Sequence, residues 1–232
     1  ENCAIEPEVQ DLILFLKKLG CNISSNKRKI IIIGGFSPAP IEHKVMFDRI
    51  EAGTYLIASA LMAKKINILN INSRVIKTEV DILRQMGVKI KVRHNRITVF
   101  ESVKIKTYKI TTAPYPGFPT DLQAQIMVLM TKASGTSTIK ENIFENRFMH
   151  VPELKRMGAK IEIRNNIAKI KGPTDLSGAE VMATDLRASV CLVLAGLIAD
   201  NRTIINRIYH LDRGYEGLER KLKNCKSIIR RV

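Results

Sequence analysis

One pattern recurs along this chain and restricts its fold more than any other feature. Three segments open with an acidic residue and pass into a strongly apolar, helix-like run. They are Asp48-Arg49 with Thr54 to Ala63, Thr120-Asp121 with Leu122 to Met130, and Thr184-Asp185 with Leu186 to Ala199. The aspartates are spaced 73 and 64 residues apart (48 to 121 and 121 to 185). Each run leads into a short β-rich stretch: Ile66 to Ile71, Ser137 to Lys140, and Arg202 to Ile205. A second helix with a one-sided apolar stripe follows, then a glycine and an alternating strand. Val80 to Gly87 before Val88 to Val92, and Val151 to Gly158 before Ala159 to Ile163, are the clearest copies. Glycine there suits the left-handed position just past a helix end, and alternation suits a half-exposed strand.

Val9 to Gly20, with Cys21 to Ile23 and Ile30 to Ile33 after it, is the same second half without its first. Leu218 to Val232 is a frayed copy in which Asn224-Cys225-Lys226 stands in place of the glycine turn. The two kinds of helix predict different surroundings. The second kind is amphipathic and belongs on a surface, whereas the first is apolar nearly all round and must be buried on every side. Three units therefore predict three apolar helices inside a shell of sheets. Thr120 and Thr184 are expected as N-caps, with Asp121 and Asp185 in the first turn, where negative charge meets the positive helix end. Unfilled N–H groups converging there also favour phosphate or carboxylate ligands.

Composition narrows the function classes. An apolar fraction of 45% is ample for a globular core. Cys3, Cys21, Cys191 and Cys225 are far apart, with no C-x-x-C pair and no histidine cluster. That argues against zinc and against a disulfide framework, and for a reducing, cytoplasmic setting. Cys3 is read as a small buried residue. No signal segment is recognised, and Val190 to Ala199 is too short to span a bilayer, so no membrane partner is expected. The net charge of +16 is dispersed along the sequence, and aromatic residues make up 5%. No basic stripe interleaves with aromatics, so nucleic acid is not an expected partner either.

Four longer motifs go further: Thr112 to Gln125 (TAPYPGFPTDLQAQ), Phe144 to Leu154 (FENRFMHVPEL), Met182 to Ser189 (MATDLRAS) and Ile208 to Glu216 (IYHLDRGYE). In this order they resemble the enolpyruvyl transferases that act on UDP-N-acetylglucosamine. The likeness extends through Glu6-Pro-Glu8 and Asp48 to Thr54, and is weakest over 33–45 and after Gly217. It implies an inside-out α/β barrel of repeated β-α-β units around buried helices, in agreement with the repeat. Residues 1–46 would be the tail of a first domain, and 47–232 a second domain of three repeats.

The resemblance also implies a chemistry and no cofactor. The family adds the sugar 3-hydroxyl to C2 of phosphoenolpyruvate and then eliminates phosphate, the first committed step of peptidoglycan synthesis. Such proteins serve cell-wall biogenesis, cell shape and cell division. Asp121 matches the base that accepts the hydroxyl proton; a helix-turn carboxylate is its alternative role. Arg147, Arg187 and Arg213 match positions facing phosphoenolpyruvate, where a planar fork pairs with carboxylate and phosphate oxygens. Arg213 also counts among the catalytic residues, as does Asp185, which orients an arginine, assists a conformational step or simply caps its helix. Ile143 matches a backbone contact to the sugar nucleotide, and Glu6 and Glu8 match polar positions near the domain junction. His150 and His210 are read as structural hydrogen-bonders.

The family's cysteine loop and first-domain arginines have no counterpart in these 232 residues. The expected partners are therefore phosphoenolpyruvate, UDP-N-acetylglucosamine and a complementary N-terminal half, in cis or in trans, without which turnover is not expected. The alternatives are the sister transferase acting on shikimate 3-phosphate and a non-catalytic basic binding protein that retains the fold.

Overall fold

The computed structural model describes residues 1–35, 37–62 and 64–232. Helix α1 (Pro7–Lys18) leads to an antiparallel hairpin of β1 (Asn22–Asn26) and β2 (Lys29–Ile33). The first repeat runs α2 (Arg49–Met62), β3 (Lys65–Leu69), α3 (Lys77–Gln85), β4 (Lys89–Arg93) and β5 (Arg96–Phe100). The second contains β6 (Lys109–Thr111), a 3-10 turn at Thr120–Leu122, α4 (Gln123–Thr131), β7 (Gly135–Lys140), α5 (Val151–Arg156), β8 (Lys160–Arg164) and β9 (Ile167–Gly172). The third has β10 (Glu180–Met182), α6 (Leu186–Ile198), β11 (Ile204–Asn206), a 3-10 segment at Ile208–Arg213 and α7 (Leu218–Asn224). Ala63, where the first apolar run was expected to end, lies outside the described residues.

The apolar helices α2, α4 and α6 touch one another at the centre, and the sheets lie outside them. Every residue of α4 is buried, including Gln123, Gln125 and Thr131. Its Ile126, Met127, Leu129 and Met130 are fully enclosed; each such side chain contributes about 1.5–3 kcal/mol of burial energy. The sheets follow the repeat. β3-β5-β4 is antiparallel, β6-β7-β9-β8 has only its β6–β7 pair parallel, and β10–β11 is a parallel pair. This is the inside-out α/β arrangement, helices within and strands without. Among the described residues no helix is long and apolar enough to cross a membrane.

The glycine turns take the predicted form, with φ of +109°, +91° and +96° at Gly20, Gly87 and Gly158. Lys226 holds the equivalent place after α7 at φ +67°, a conformation that costs a non-glycine residue about 1–2 kcal/mol. Gly53 has a different reason. A Cβ there would collide with a δ-carbon of Leu122, so its absence lets α2 approach the start of α4.

Three expectations need correction. Thr184 does not cap α6: Asp185 is the N-cap, and Thr184 Oγ1 is buried with no partner among the described residues. Thr120 does not cap α4 either, because a 3-10 turn intervenes and its hydroxyl donates to Glu141 instead, at 2.9 Å. Cys3 is half-buried rather than enclosed. The histidines also differ from a fully bonded structural role, since His150 Nε2 and His210 Nδ1 find no partner among the described residues. His150 precedes α5 and is 2% exposed. Burial pushes its pKa down to about 4; Asp185 opposes the shift and Arg147 adds to it.

Two outcomes follow. The folded state keeps His150 neutral where the unfolded chain, with a pKa near 6.5, takes up a proton. Its contribution, about 3 kcal/mol at most, is present above pH ~6.5 and is lost as pH falls toward about 4. Replacing His150 by Gln is expected to flatten that part of the stability–pH curve measured by urea unfolding. Gly53→Ala is expected to destabilise the fold by roughly 1–3 kcal/mol through overpacking against Leu122, read from the same unfolding midpoints.

Candidate functional site

The three repeats begin with chemically equivalent aspartates that end in different environments. Asp48 Oδ1 accepts from Ile50 N at 2.7 Å and Glu51 N at 2.9 Å. Asp185 Oδ1 accepts from Arg187 N and Ala188 N at the same two distances. Both are N-caps, spent on their own helices. Asp121 is not. The turn at Thr120–Leu122 separates it from α4, and its carboxylate receives two guanidinium groups instead. Arg147 Nη2 lies 2.6 Å from Oδ1 and Arg187 Nη2 lies 3.1 Å from Oδ2. The Asp121 side chain keeps 40% of its surface exposed, against 13% for Arg147 and 17% for Arg187. The site is therefore a solvent-facing carboxylate backed by two largely enclosed cations.

Glu141 holds the two loops that build this site in register. One of its oxygens accepts from the Thr112 hydroxyl at 2.7 Å and from the backbone of Ile143 at 2.8 Å and Phe144 at 3.1 Å. The other accepts from Thr120 at 2.9 Å. A buried carboxylate with four donors is fully satisfied, and it joins the Pro-rich 112–120 segment to the 141–147 loop. From that loop Arg147 passes over the Phe144 ring, 5.0 Å from its centroid, to reach Asp121. The loop and the 163–166 turn line an open groove of about 980 Å³ that contains Ile143 and Arg147. Ile143 and Phe144 are both exposed along it, so an apolar margin borders the charged end.

Behind the arginines lies a buried polar cluster. Gln125 Nε2 donates to the Asp121 carbonyl at 2.9 Å and to Thr54 Oγ1 at 3.1 Å. It also reaches the Tyr215 hydroxyl at 3.4 Å, and Thr54 and Tyr215 share a bond of 2.8 Å. Burial disfavours the Arg187 cation, but Asp121 and then Tyr215 more than offset this, leaving its pKa above the ordinary arginine value. Burial likewise raises the Tyr215 phenol, so it stays neutral at physiological pH.

The other anticipated residues do not all converge. Arg213 ends the 3-10 segment 208–213, exposed, with no side-chain hydrogen bond or ion pair among the described residues. Asp185 contributes through its cap, which fixes the turn carrying Arg187. Glu8 pairs with Arg49 at 2.7 Å and Glu6 accepts from Tyr115 N at 3.4 Å, tying α1 to α2 and to the Pro-rich loop. Reasoning from sequence assigned no role to Glu141, Thr54, Gln125 or Tyr215, although all four lie in or beside the quoted motifs. The signal available was weak: polar side chains inside runs otherwise destined for burial.

Comparison with known proteins places this geometry. The family model described as EPSP synthase (3-phosphoshikimate 1-carboxyvinyltransferase) matches residues 1–222. A protein of Pelagibacter ubique named UDP-N-acetylglucosamine 1-carboxyvinyltransferase is 56% identical over the whole chain, which covers 56% of that protein. One of the same name from Rickettsia akari is 50% identical, again over the whole chain and 55% of its own length. The chain thus spans about half the length of the curated relatives it matches. Among solved structures, the enolpyruvyl transferase NikO from Streptomyces tendae aligns with a TM-score of 0.91 at 28% identity, over 99% of this chain and 55% of that one. EPSP synthase from Acinetobacter baumannii aligns at 0.72 and 17% identity, over 94% and 54%, a likeness of fold. With the repeat, the buried helices and a family match over nearly its whole length in agreement, the chain belongs to the EPSP synthase family of enolpyruvyl transferases.

Proposed function

We propose that this chain carries the base and part of the anion cradle of an enolpyruvyl transferase. The reaction joins phosphoenolpyruvate to the 3-hydroxyl of UDP-N-acetylglucosamine, in the cytoplasm, to make a peptidoglycan precursor. The observation that carries this reading is the Asp121 carboxylate, released from its helix and gripped by Arg147 and Arg187. The names of the relatives at 50–56% identity support the sugar nucleotide over shikimate 3-phosphate as acceptor.

In the first step the hydroxyl oxygen bonds to C2 of phosphoenolpyruvate while its proton passes to Asp121 and a proton is added at C3. In the second, C3 gives up a proton, the C2–O bond to phosphate breaks, and an enol ether and inorganic phosphate remain. Asp121 serves as general base. Arg147, Arg187 and the exposed Arg213 receive the phosphate and carboxylate oxygens, where fixed cations stabilise charge that builds up in both steps. An anionic ligand competes with Asp121 for the two arginines, so its arrival frees the carboxylate to act. Asp185 assists by holding the turn that carries Arg187. The backbone at Ile143 and the exposed Phe144 border the groove that takes the sugar nucleotide. The groups that protonate C3 and grip uridine are assigned to a complementary half, supplied in cis or in trans, which the other part of each relative represents.

Phosphate release from phosphoenolpyruvate and UDP-N-acetylglucosamine tests the reading, using this chain together with the complementary half. Asp121→Asn is expected to lower kcat about 10²–10⁴-fold, the range for removal of a general base. Arg187→Lys, which keeps the charge but loses the planar fork, is expected to act mainly on KM for phosphoenolpyruvate. Release that ignores the sugar nucleotide, or survives Asp121→Asn, would contradict the assignment. So would full activity from the 232-residue chain alone.

A further inference from the structure

The outer face of the β3-β5-β4 sheet is a concentrated cationic surface. Ile68, Val92, Ile97 and Val99 pack on the apolar core, so the alternate residues of each strand face outward. Strand pairing sets these in three rows: Lys65, Phe100 and Lys89; Asn67, Thr98 and Lys91; Leu69, Arg96 and Arg93. Five of the nine are cations and none is a carboxylate. Lys65, Lys89, Lys91 and Arg93 are exposed and Arg96 is half-buried. None of the five makes an ion pair among the described residues. Along the sequence these charges are dispersed; strand pairing gathers them on one surface.

The composition of the rows narrows the partner. Arg93 and Arg96 stand directly opposite each other, an arrangement that destabilises a sheet unless an external anion offsets it. Beside them in the same row, Leu69 is 61% exposed. Asn67, the one amide of the rows, is committed to the Thr98 hydroxyl at 2.8 Å, so it is not free to read a base edge. Phe100, their one aromatic ring, is half-buried and offers a base no open stacking platform. None of the nine lines the groove beside Arg147.

We propose that this face docks on the surface of an anionic lipid bilayer, its cations meeting headgroup phosphates and Leu69 entering the interfacial layer. A fluid array of headgroups suits lysines, which act as point charges without a fixed fork geometry. Leu69 favours a bilayer over nucleic acid, because the headgroup layer takes an apolar side chain out of water and a phosphate backbone does not. The contact is peripheral and sensitive to ionic strength, since exposed charges are screened beyond about 10 Å at 0.1 M salt.

The 232-residue chain contains no tryptophan, so Leu69→Trp supplies a single fluorescent reporter. Vesicles of phosphatidylcholine, alone or mixed equally with phosphatidylglycerol, are added at low salt, and emission and co-sedimentation are read. The expected result is a blue shift and sedimentation with the mixed vesicles only, both lost at about 0.5 M salt. Lys89→Glu combined with Lys91→Glu is expected to lower partitioning about 25-fold or more, at about fivefold for each lysine lost. Lys65→Glu combined with Arg93→Glu is expected to do the same. Lys169→Glu combined with Lys171→Glu makes an equal charge change at exposed positions of β9 and is expected to lower partitioning about twofold or less. Unfolding midpoints of all variants separate loss of binding from loss of fold.

An equal loss in the β9 variant would overturn the proposal, because net charge alone would then explain the binding. Sedimentation without a blue shift would overturn the seating of Leu69 and with it the docking face. Binding of a DNA duplex at matched phosphate concentration, with none to the mixed vesicles, would give the face to nucleic acid instead. Absence of binding to either would leave it a solvated surface.

Discussion

The structure is organised around a carboxylate that its own helix does not use. An aspartate at the start of a buried apolar helix ordinarily satisfies that helix's first N–H groups, as Asp48 and Asp185 do at matching distances. At Asp121 a single 3-10 turn breaks the equivalence. The carboxylate points to Arg147 and Arg187 instead, and two cations that would otherwise be costly to enclose acquire a counter-charge. Pseudo-symmetry supplies three similar positions, and one local departure from it turns a structural cap into a partly exposed carboxylate held by two arginines.

The surrounding elements hold that departure in place. Glu141 fastens the segment before Asp121 to the loop that carries Arg147. The Asp185 cap sets the first turn of α6 and hence Arg187. Tyr215, Thr54 and Gln125 close the site from behind. Glu141, Thr54, Gln125 and Tyr215 are buried and make specific hydrogen bonds, and loss of one partner leaves the other with a desolvation penalty of about 1–3 kcal/mol. The site is thus tied by hydrogen bonds on its inner side and open on the groove side.

Much of this could be read from the sequence. The repeat, the central helices and the glycine turns follow from apolar periodicity and from the special φ that glycine permits. Asp121, Arg147 and Arg187 were identified from motifs, and the fold brings the three together. The α6 cap falls one residue past Thr184, because Thr and Asp both cap well and their order in Thr-Asp does not decide between them; at Thr120 the intervening 3-10 turn leaves α4 without a side-chain cap. Glu141 and Tyr215 escaped notice for a different reason. Their roles depend on partners 29 and 161 residues away, Thr112 and Thr54, and no local pattern records such pairing. Arg213, legible as a motif residue, lies exposed and joins the site only under the functional reading.

The most direct test of the account is a crystal structure of this chain with its complementary half, bound to UDP-N-acetylglucosamine and a non-reacting analogue of phosphoenolpyruvate. The account predicts the sugar 3-hydroxyl in hydrogen-bond contact with Asp121 and the analogue's phosphate on Arg187 and Arg147, both drawn away from the carboxylate. A complex in which Asp121 keeps both arginines while the sugar hydroxyl bonds elsewhere would contradict it.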